Sequence, residues 1–172
     1  MERRGWSVPR STQELVDLVT RRGPALAFEI SEPLARFLRE ARALCGGDLD
    51  KALIMVEIIL RASQHPQFRR LDAAELNSTR SPDIPSLGIN VRSLAESTGI
   101  PRESVRRKVR ELLESGWVVR QGHRLHFSHE GYVAVTRTRQ EMQRMYVRAY
   151  QVVSALIETE DDTDGLRSRL LE

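Results

Sequence analysis

The chain has very little cysteine and lysine, few aromatic residues and no long apolar run. Its single cysteine, Cys45, excludes a disulfide within one chain, and we expect it to be a bystander rather than a redox sensor. The longest apolar stretches, Ala52–Val56 and Ile58–Leu60, are far too short to cross a membrane. Residues 1–10 lack the apolar core of a signal peptide. These absences predict a cytoplasmic protein with no membrane association.

Positive charge is concentrated in one stretch of the chain. The formal net charge of the 172 residues is only +3, but between Asn90 and Phe127 eight basic residues stand against four acidic ones. Such a local excess is typical of a surface that binds nucleic acid. The alternative is a solvated helix surface, or one that contacts an acidic protein.

The same stretch carries the signals of two short helices joined by a sharp turn. Asn90 is a good cap for a first helix, and Thr98–Pro101 supplies a stop and a restart. In the second helix, which ends at Ser115 and Gly116, four apolar residues fall on one stripe at i, i+4, i+7 and i+8, and we expect them to be buried. They are Val105, Val109, Leu112 and Leu113.

A tight hairpin is predicted directly after the second helix. Two short strand candidates, Trp117–Arg120 and Arg124–Phe127, flank a Gln-Gly-His turn. Alternation should place Leu125 and Phe127 on the core and the two polar residues that alternate with them, Arg124 and His126, outside. Helix, turn, helix and hairpin in this order are typical of a winged helix-turn-helix, which places its second helix in the major groove of DNA.

Candidate DNA-contacting side chains follow from that fold. Arg102, Glu103 and Arg107 lie near the start of the second helix, and they are expected to read base edges of a G·C-containing half-site. A second set is expected to contact the phosphate backbone or a minor groove. It consists of Asn90, Arg92, Ser104, Arg106, Arg110, Arg120, His123 and Arg124.

Two family resemblances bear on this region. The run Arg102–Arg107 resembles the Arg-Glu-Thr-Val-x-Arg recognition helix of CRP/FNR-type regulators, and the hairpin is similar to theirs. That family carries a β-barrel cyclic-nucleotide domain, whereas the preceding residues here look helical, so no cyclic nucleotide is implied. Phe127–Gly131 resembles the Leu-Thr-x-x-Gly step of the multiple-antibiotic-resistance regulator (MarR) family, although the Asp-x-Arg typical of the wing of that family is absent. This second resemblance implies a dimer and allows an unidentified small-molecule effector.

Three helices are predicted before this region. Ser11 and Glu14 form a capping-box pattern for a helix that stops at Arg22-Gly23-Pro24, and a second helix follows Ser31 and stops at Gly46-Gly47. Asp48 caps a third helix that runs to about Gln64 and is apolar nearly all round, so we expect it to be buried on most sides.

The segment His65–Gly88 is predicted to be an irregular connection, because it contains three prolines and a polar run. We expect one helical turn around Ala73–Leu76. Leu87–Ile89 is a candidate third strand beside the hairpin.

A long helix is predicted from Ser128 to about Thr159, since this stretch contains no proline. A helix of about 30 residues spans about 45 Å, which is longer than one small domain covers. Its apolar seam therefore predicts a homodimer, the alternative being packing within the chain against Leu15 and Leu38. The seam comprises Val135, Met142, Met145, Tyr146, Ala149, Val152, Val153 and Leu156.

Nothing in the sequence indicates an enzyme, a cofactor or a metal site. His123, His126 and His129 recur every third residue but lie across a hairpin and a helix start without nearby cysteine. Ser128 and His129 are neighbours only in sequence, and there is no glycine-rich phosphate loop.

The sequence thus predicts a mainly α-helical fold with a small β-wing, in four parts. These are an N-terminal helical extension for packing or dimerisation (1–47), a winged helix-turn-helix (48–130), a long dimerisation helix (131–158) and an acidic flexible tail (159–172). We expect a nucleoid-associated transcription regulator, a repressor, that binds double-stranded DNA as a homodimer on a pseudo-palindromic operator. The alternative is a winged-helix protein-interaction factor of a replication, partition or cell-cycle assembly.

Overall fold

The protein is mainly α-helical with one small antiparallel sheet, as the sequence predicts. A computed structural model describes residues 11–66 and 87–170, so the predicted helical turn around residues 73–76 lies outside the described residues. The elements are α1 (Thr12–Leu44), α2 (Leu49–Ser63), α3 (Val91–Thr98), α4 (Arg102–Glu114), β1 (Val118–Gln121), β2 (Arg124–Phe127), α5 (His129–Ala134) and α6 (Thr136–Leu170).

The chain forms two compact units. One comprises Leu38–Gln140, and the other comprises the chain up to Phe37 together with the chain from Glu141 on. Both long helices, α1 and α6, contribute residues to each unit. In this division the end of α1 and the start of α6 belong with the central elements.

Helix α1 begins at the predicted capping box. The Glu14 N–H donates to Ser11 Oγ at 3.2 Å, and the Ser11 N–H donates to Glu14 Oε2 at 3.1 Å. The predicted stop at Gly23-Pro24 is wrong, since α1 continues as one helix to Leu44. Glycine and proline cost a helix about 1 and about 3 kcal/mol, but good helix formers follow them and α6 pairs with the later turns of α1.

In the unit that contains Phe37 and Glu141, α1 and α6 run antiparallel. Arg148 of α6 makes an ion pair with Glu29 of α1, and Arg36 Nε lies 3.9 Å from Glu141 Oε2. The order of these two pairs fixes the antiparallel direction. Helix α6 also continues to Leu170, beyond the point where a flexible tail is predicted, because residues 159–170 contain no proline and mostly helix-compatible residues.

The hydrophobic core of the unit Leu38–Gln140 lies between α2, α3, α4 and the hairpin. Its most deeply buried side chains come from all four elements, so the core fixes the setting of each. They are Ile54, Ile58, Leu94, Val105, Val109, Leu112, Val118 and Leu125, and Cys45, directly after α1, is buried with them.

One face of α2 is left uncovered. Leu49, Leu53, Val56 and Leu60 lie on one stripe and are between 36% and 49% exposed. The prediction of burial on most sides is therefore wrong for this helix. The core covers only the side of α2 that carries Ile54, Met55 and Ile58.

Ion pairs of both lysines join the start of α2 to α4. Asp48 Oδ1 caps α2 by accepting the Lys51 N–H at 3.0 Å, and its other oxygen binds the buried Nζ of Lys108. Lys51 Nζ lies 2.9 Å from Glu111 Oε2. Burial by itself would raise the pKa of Asp48, but the hydrogen bonds from Lys108 and from the Lys51 N–H, with both lysine charges, hold this pKa below its ordinary value.

Within the described residues the sheet has two strands, and the predicted third strand at Leu87–Ile89 is reduced to a single bridge at Ile89. Val118 pairs with Phe127 and Gln121 with Arg124 across β1 and β2. Ile89 then bridges Leu125 by two backbone hydrogen bonds of 3.0 and 2.8 Å.

The step from the hairpin into α5 depends on Ser128 and Gly131. Ser128 Oγ donates to the Gly116 carbonyl at 2.6 Å and accepts the Gly131 N–H at 2.9 Å, so it caps α5. A Cβ on Gly131 would lie 2.3 Å from the Trp117 carbonyl oxygen and 2.7 Å from Phe127 Cε2. The two hydrogen bonds of its hydroxyl explain the serine, and the lack of room for a Cβ explains the glycine.

Replacing Asp48 by asparagine tests the ion pair separately from the cap, since asparagine also caps helices. We expect a loss of about 2 kcal/mol of unfolding free energy at neutral pH, the scale of a hydrogen bond to a charged group. The pKa of Asp48 is lower in the folded state, so its stabilisation is complete above the unfolded value of about 4 and is lost as the pH falls through the folded value.

Urea unfolding at a series of pH values from 7 down to 2 measures the unfolding free energy of both proteins. The stability difference between wild type and Asp48→Asn should shrink in acid. The matched control, Asp50→Asn, removes a more exposed carboxylate that lies 3.7 Å from Lys108 Nζ, and its effect should stay within about 0.5 kcal/mol. A pH-independent difference for Asp48→Asn would contradict the assignment.

A methyl group at position 131 should destabilise the fold. Gly131→Ala forces α5 away from the Trp117 carbonyl, and such overpacking costs about 1–3 kcal/mol. Thermal unfolding followed by circular dichroism measures the change, with Glu130→Ala as the control at the exposed neighbouring position. Equal stability of the two variants would show that the close approach is unimportant.

Candidate nucleic-acid interface

Helix α3 begins at the predicted cap. Asn90 Oδ1 accepts the Ser93 N–H at 2.9 Å, and Leu94 is fully buried. Arg92 points outward and its Nε lies 2.7 Å from Glu96 Oε1. The start of α3 thus presents one polar amide and one guanidinium on a fixed helix end.

The turn between α3 and α4 is short. Gly99 adopts a left-handed conformation with φ +70°, Ile100 is buried, and Pro101 precedes the first residue of α4. The Thr98 hydroxyl donates to the Leu94 carbonyl at 2.6 Å and accepts the Ile100 N–H at 3.3 Å. The predicted stop and restart are therefore present.

Helix α4 is buried on one side and exposed on the other. Val105, Val109 and Leu112 are each at most 1% exposed, whereas Leu113 is only half-buried. Lys108 is also buried, which the sequence pattern does not indicate, because a lysine among arginines suggests a solvated residue. Its contact with Asp48 explains the burial.

The hairpin differs from prediction at its polar residues. Leu125 is fully buried, but His126 is half-buried, and a Cβ on Gly88 would lie 2.4 Å from its Nε2. The prediction that His126 lies outside is wrong because Gly88 lies against its ring. Burial, and secondly the charge of Arg124, lowers the pKa of His126. Arg124 is exposed, but its Nη1 donates to the Gly88 carbonyl at 3.0 Å.

An open cleft of about 740 Å³ lies between α3, α4 and the hairpin. It brings together the start of α3, one side of α4 and the hairpin turn. Its lining residues are Asn90, Val91, Arg92, Arg102, Arg106, Arg110, Leu113, Arg120 and His123. Seven of these were predicted to contact DNA, and only Val91 and Leu113 were not.

The cleft is strongly positive. Five arginines from three elements line it, and no carboxylate is among its described lining residues. Within residues 11–66 and 87–170, Arg102, Arg110 and Arg120 have no ion pair, whereas Arg106 Nη1 lies 2.6 Å from Glu103 Oε1. Several guanidinium groups around one open space suit a polyanion.

The other predicted contact residues lie outside the cleft. Glu103 and Arg107 are exposed on α4, Ser104 is half-buried, and Arg124 is held at Gly88. Of the three predicted base-reading residues, the cleft contains only Arg102. The sequence gives one signal for the missed Leu113, its place at the edge of the buried stripe, and none for Val91 beyond its position next to Asn90.

The predicted dimerisation residues have mixed exposure. Val135, in one unit, and Val152, in the other, are buried within the chain. Tyr146 is 57% exposed, and the five remaining seam residues are half-buried: Met142, Met145, Ala149, Val153 and Leu156. Two exposed apolar neighbours that the heptad pattern missed, Val147 and Tyr150, lie beside Tyr146 at 57% and 65% exposure.

In the part of the chain that the structure describes, no three histidine, cysteine or acidic side chains are arranged to hold a metal ion. No helix among the described residues has both the length and the apolar character needed to span a membrane.

Comparison of the chain with known protein families, with curated proteins and with solved structures gives no match.

Proposed function

We propose that this chain is a winged helix-turn-helix regulator that binds double-stranded DNA. One observation carries the proposal: five arginines from α3, α4 and the hairpin surround a single open cleft whose described lining contains no carboxylate. Guanidinium groups bind phosphate oxygens with charge-assisted hydrogen bonds, often in pairs. A protein ligand with scattered acidic side chains would not require this density of cations.

The order of elements supports DNA over other polyanions. A helix held on one side by a core and followed by a short hairpin is the arrangement by which winged helices present one helix to the major groove. Helix α4 has this arrangement, since Val105, Val109 and Leu112 anchor it while its arginines stay outside. We propose repression by occupation of a promoter, with the protein associated with the nucleoid.

We further propose that the protein acts as a homodimer through α6. Tyr146, Val147 and Tyr150 form an exposed apolar surface on this helix, and exposed aromatic clusters are typical of interfaces. Two copies would present two α4 helices to half-sites about one helical turn apart. The half-sites of a pseudo-palindrome would follow from the two-fold symmetry.

Salt dependence tests the DNA proposal. A duplex selected from a random pool should bind with an affinity that falls steeply with salt, because phosphate contacts release counterions. The double variant Arg102→Ala/Arg110→Ala should bind more weakly. It should also reduce the slope of log affinity against log salt concentration by about 2. Fluorescence anisotropy at several salt concentrations measures both quantities.

The control for this titration is Arg137→Ala. Arg137 is exposed and does not line the cleft, and its Nε lies 3.9 Å from Glu40 Oε2. Its slope should match that of wild type. Absence of binding by wild type, or binding that ignores salt, would reject DNA as the ligand and favour a protein-interaction role.

The dimer is tested by sedimentation equilibrium. Wild type should have twice the chain mass of 19.7 kDa, and Tyr146→Ser/Tyr150→Ser should shift it toward the monomer, because the apolar contact is lost. Arg137→Ala, near the start of α6 and outside the surface of Tyr146, Val147 and Tyr150, is the matched control. A wild-type monomer, or a dimer untouched by the tyrosine changes, would reject this interface.

A further inference from the structure

The arginines of α4 point in two different directions. Arg102, Arg106 and Arg110 follow one another at four-residue spacing, and all three line the cleft. Arg107 does not line it, because each residue turns the helix by about 100° and carries this side chain to the outward face. The outward face of α4, defined here by Glu103 and Arg107, lies opposite the buried Val105.

Shape assigns these two surfaces different parts of a duplex. The cleft is concave, and it fits a convex object such as the sugar-phosphate backbone of one strand. Base edges lie at the floor of a major groove about 8.5 Å deep, so only a protruding side chain reaches them. Arg107 protrudes from the ridge of α4, whereas Arg102 is turned toward the cleft.

An ion pair on α4 occupies Glu103, the other residue of the outward face. Glu103 Oε1 lies 2.6 Å from Arg106 Nη1, so the Glu103 carboxylate already has a cationic partner. Among the described residues, Arg107 has no hydrogen bond or ion pair, and the same holds for Arg102, so the two guanidinium groups differ in direction and not in availability.

From these observations we infer that the cleft clamps the phosphate backbone of one DNA strand and that Arg107 alone on α4 determines sequence specificity. The inference rests on the proposed DNA-binding function and adds a division of labour to it. It moves Arg102 from the base-reading group, where the sequence placed it, to the phosphate clamp. Bidentate bonding from Arg107 to guanine O6 and N7 is the chemistry that would select a base pair.

Four single variants separate the two roles when each is titrated against the selected duplex and a scrambled duplex of equal length. Arg102→Ala and Arg110→Ala should each weaken binding to the selected and the scrambled duplex by the same factor. Each should lower the slope of log affinity against log salt concentration by about 1. Arg107→Ala should weaken only the selected complex, by about 5- to 100-fold. Arg137→Ala should change neither complex.

Lysine replacements sharpen the test, because lysine keeps the charge but lacks the bidentate fork of arginine. Arg110→Lys should retain most of the affinity for both duplexes. Arg107→Lys should lose discrimination almost as fully as Arg107→Ala. Matched circular dichroism melting curves would show that the variants fold alike.

The results of these titrations distinguish failure of the inference from failure of the DNA proposal. Loss of discrimination in Arg102→Ala, with discrimination intact in Arg107→Ala, would overturn the inference while leaving DNA binding in place. A uniform loss in Arg107→Ala on both duplexes would also overturn it, since that is the behaviour of a phosphate contact. Failure of the DNA proposal itself would show earlier, as absence of binding by the wild-type protein.

Discussion

The rotation of α4 about its own axis is the constraint on which the rest of the arginine surface depends. Three apolar side chains, Val105, Val109 and Leu112, are buried on one side, so the helix has one favourable angular setting. Lys108 adds a polar constraint, because its buried ammonium forms the ion pair with Asp48 only at that angular setting. The direction of every arginine on α4 follows from this burial.

Local signals explain how much of this could be predicted from the sequence. Helix caps and tight turns depend on a few neighbouring residues, so a short stretch of sequence is enough to predict them. The caps at Ser11 and Asn90 and the turn at Gly99 are of this kind. The stop expected at Pro24 fails because α6, more than a hundred residues later, pairs with α1. Contacts that are distant in sequence outweigh the local preference.

The residues that line the cleft are harder to predict for the same reason. The chemical type of seven lining residues was evident from the sequence, but their common direction depends on how α3 and the hairpin are set around α4. Arg102 and Arg107 look equivalent in the sequence, and the cleft separates them. The burial of Lys108 was likewise invisible, because its partner Asp48 lies sixty residues away.

Both lysines of the chain are engaged in the ion pairs that hold α2 to α4. The positive charge of the cleft therefore comes from guanidinium groups, with no side-chain amine among them. Acetylation, the common way to neutralise a basic surface, acts on amines and has no target there. Any control over this surface has to work by occupying it, by moving it, or by chemistry directed at arginine.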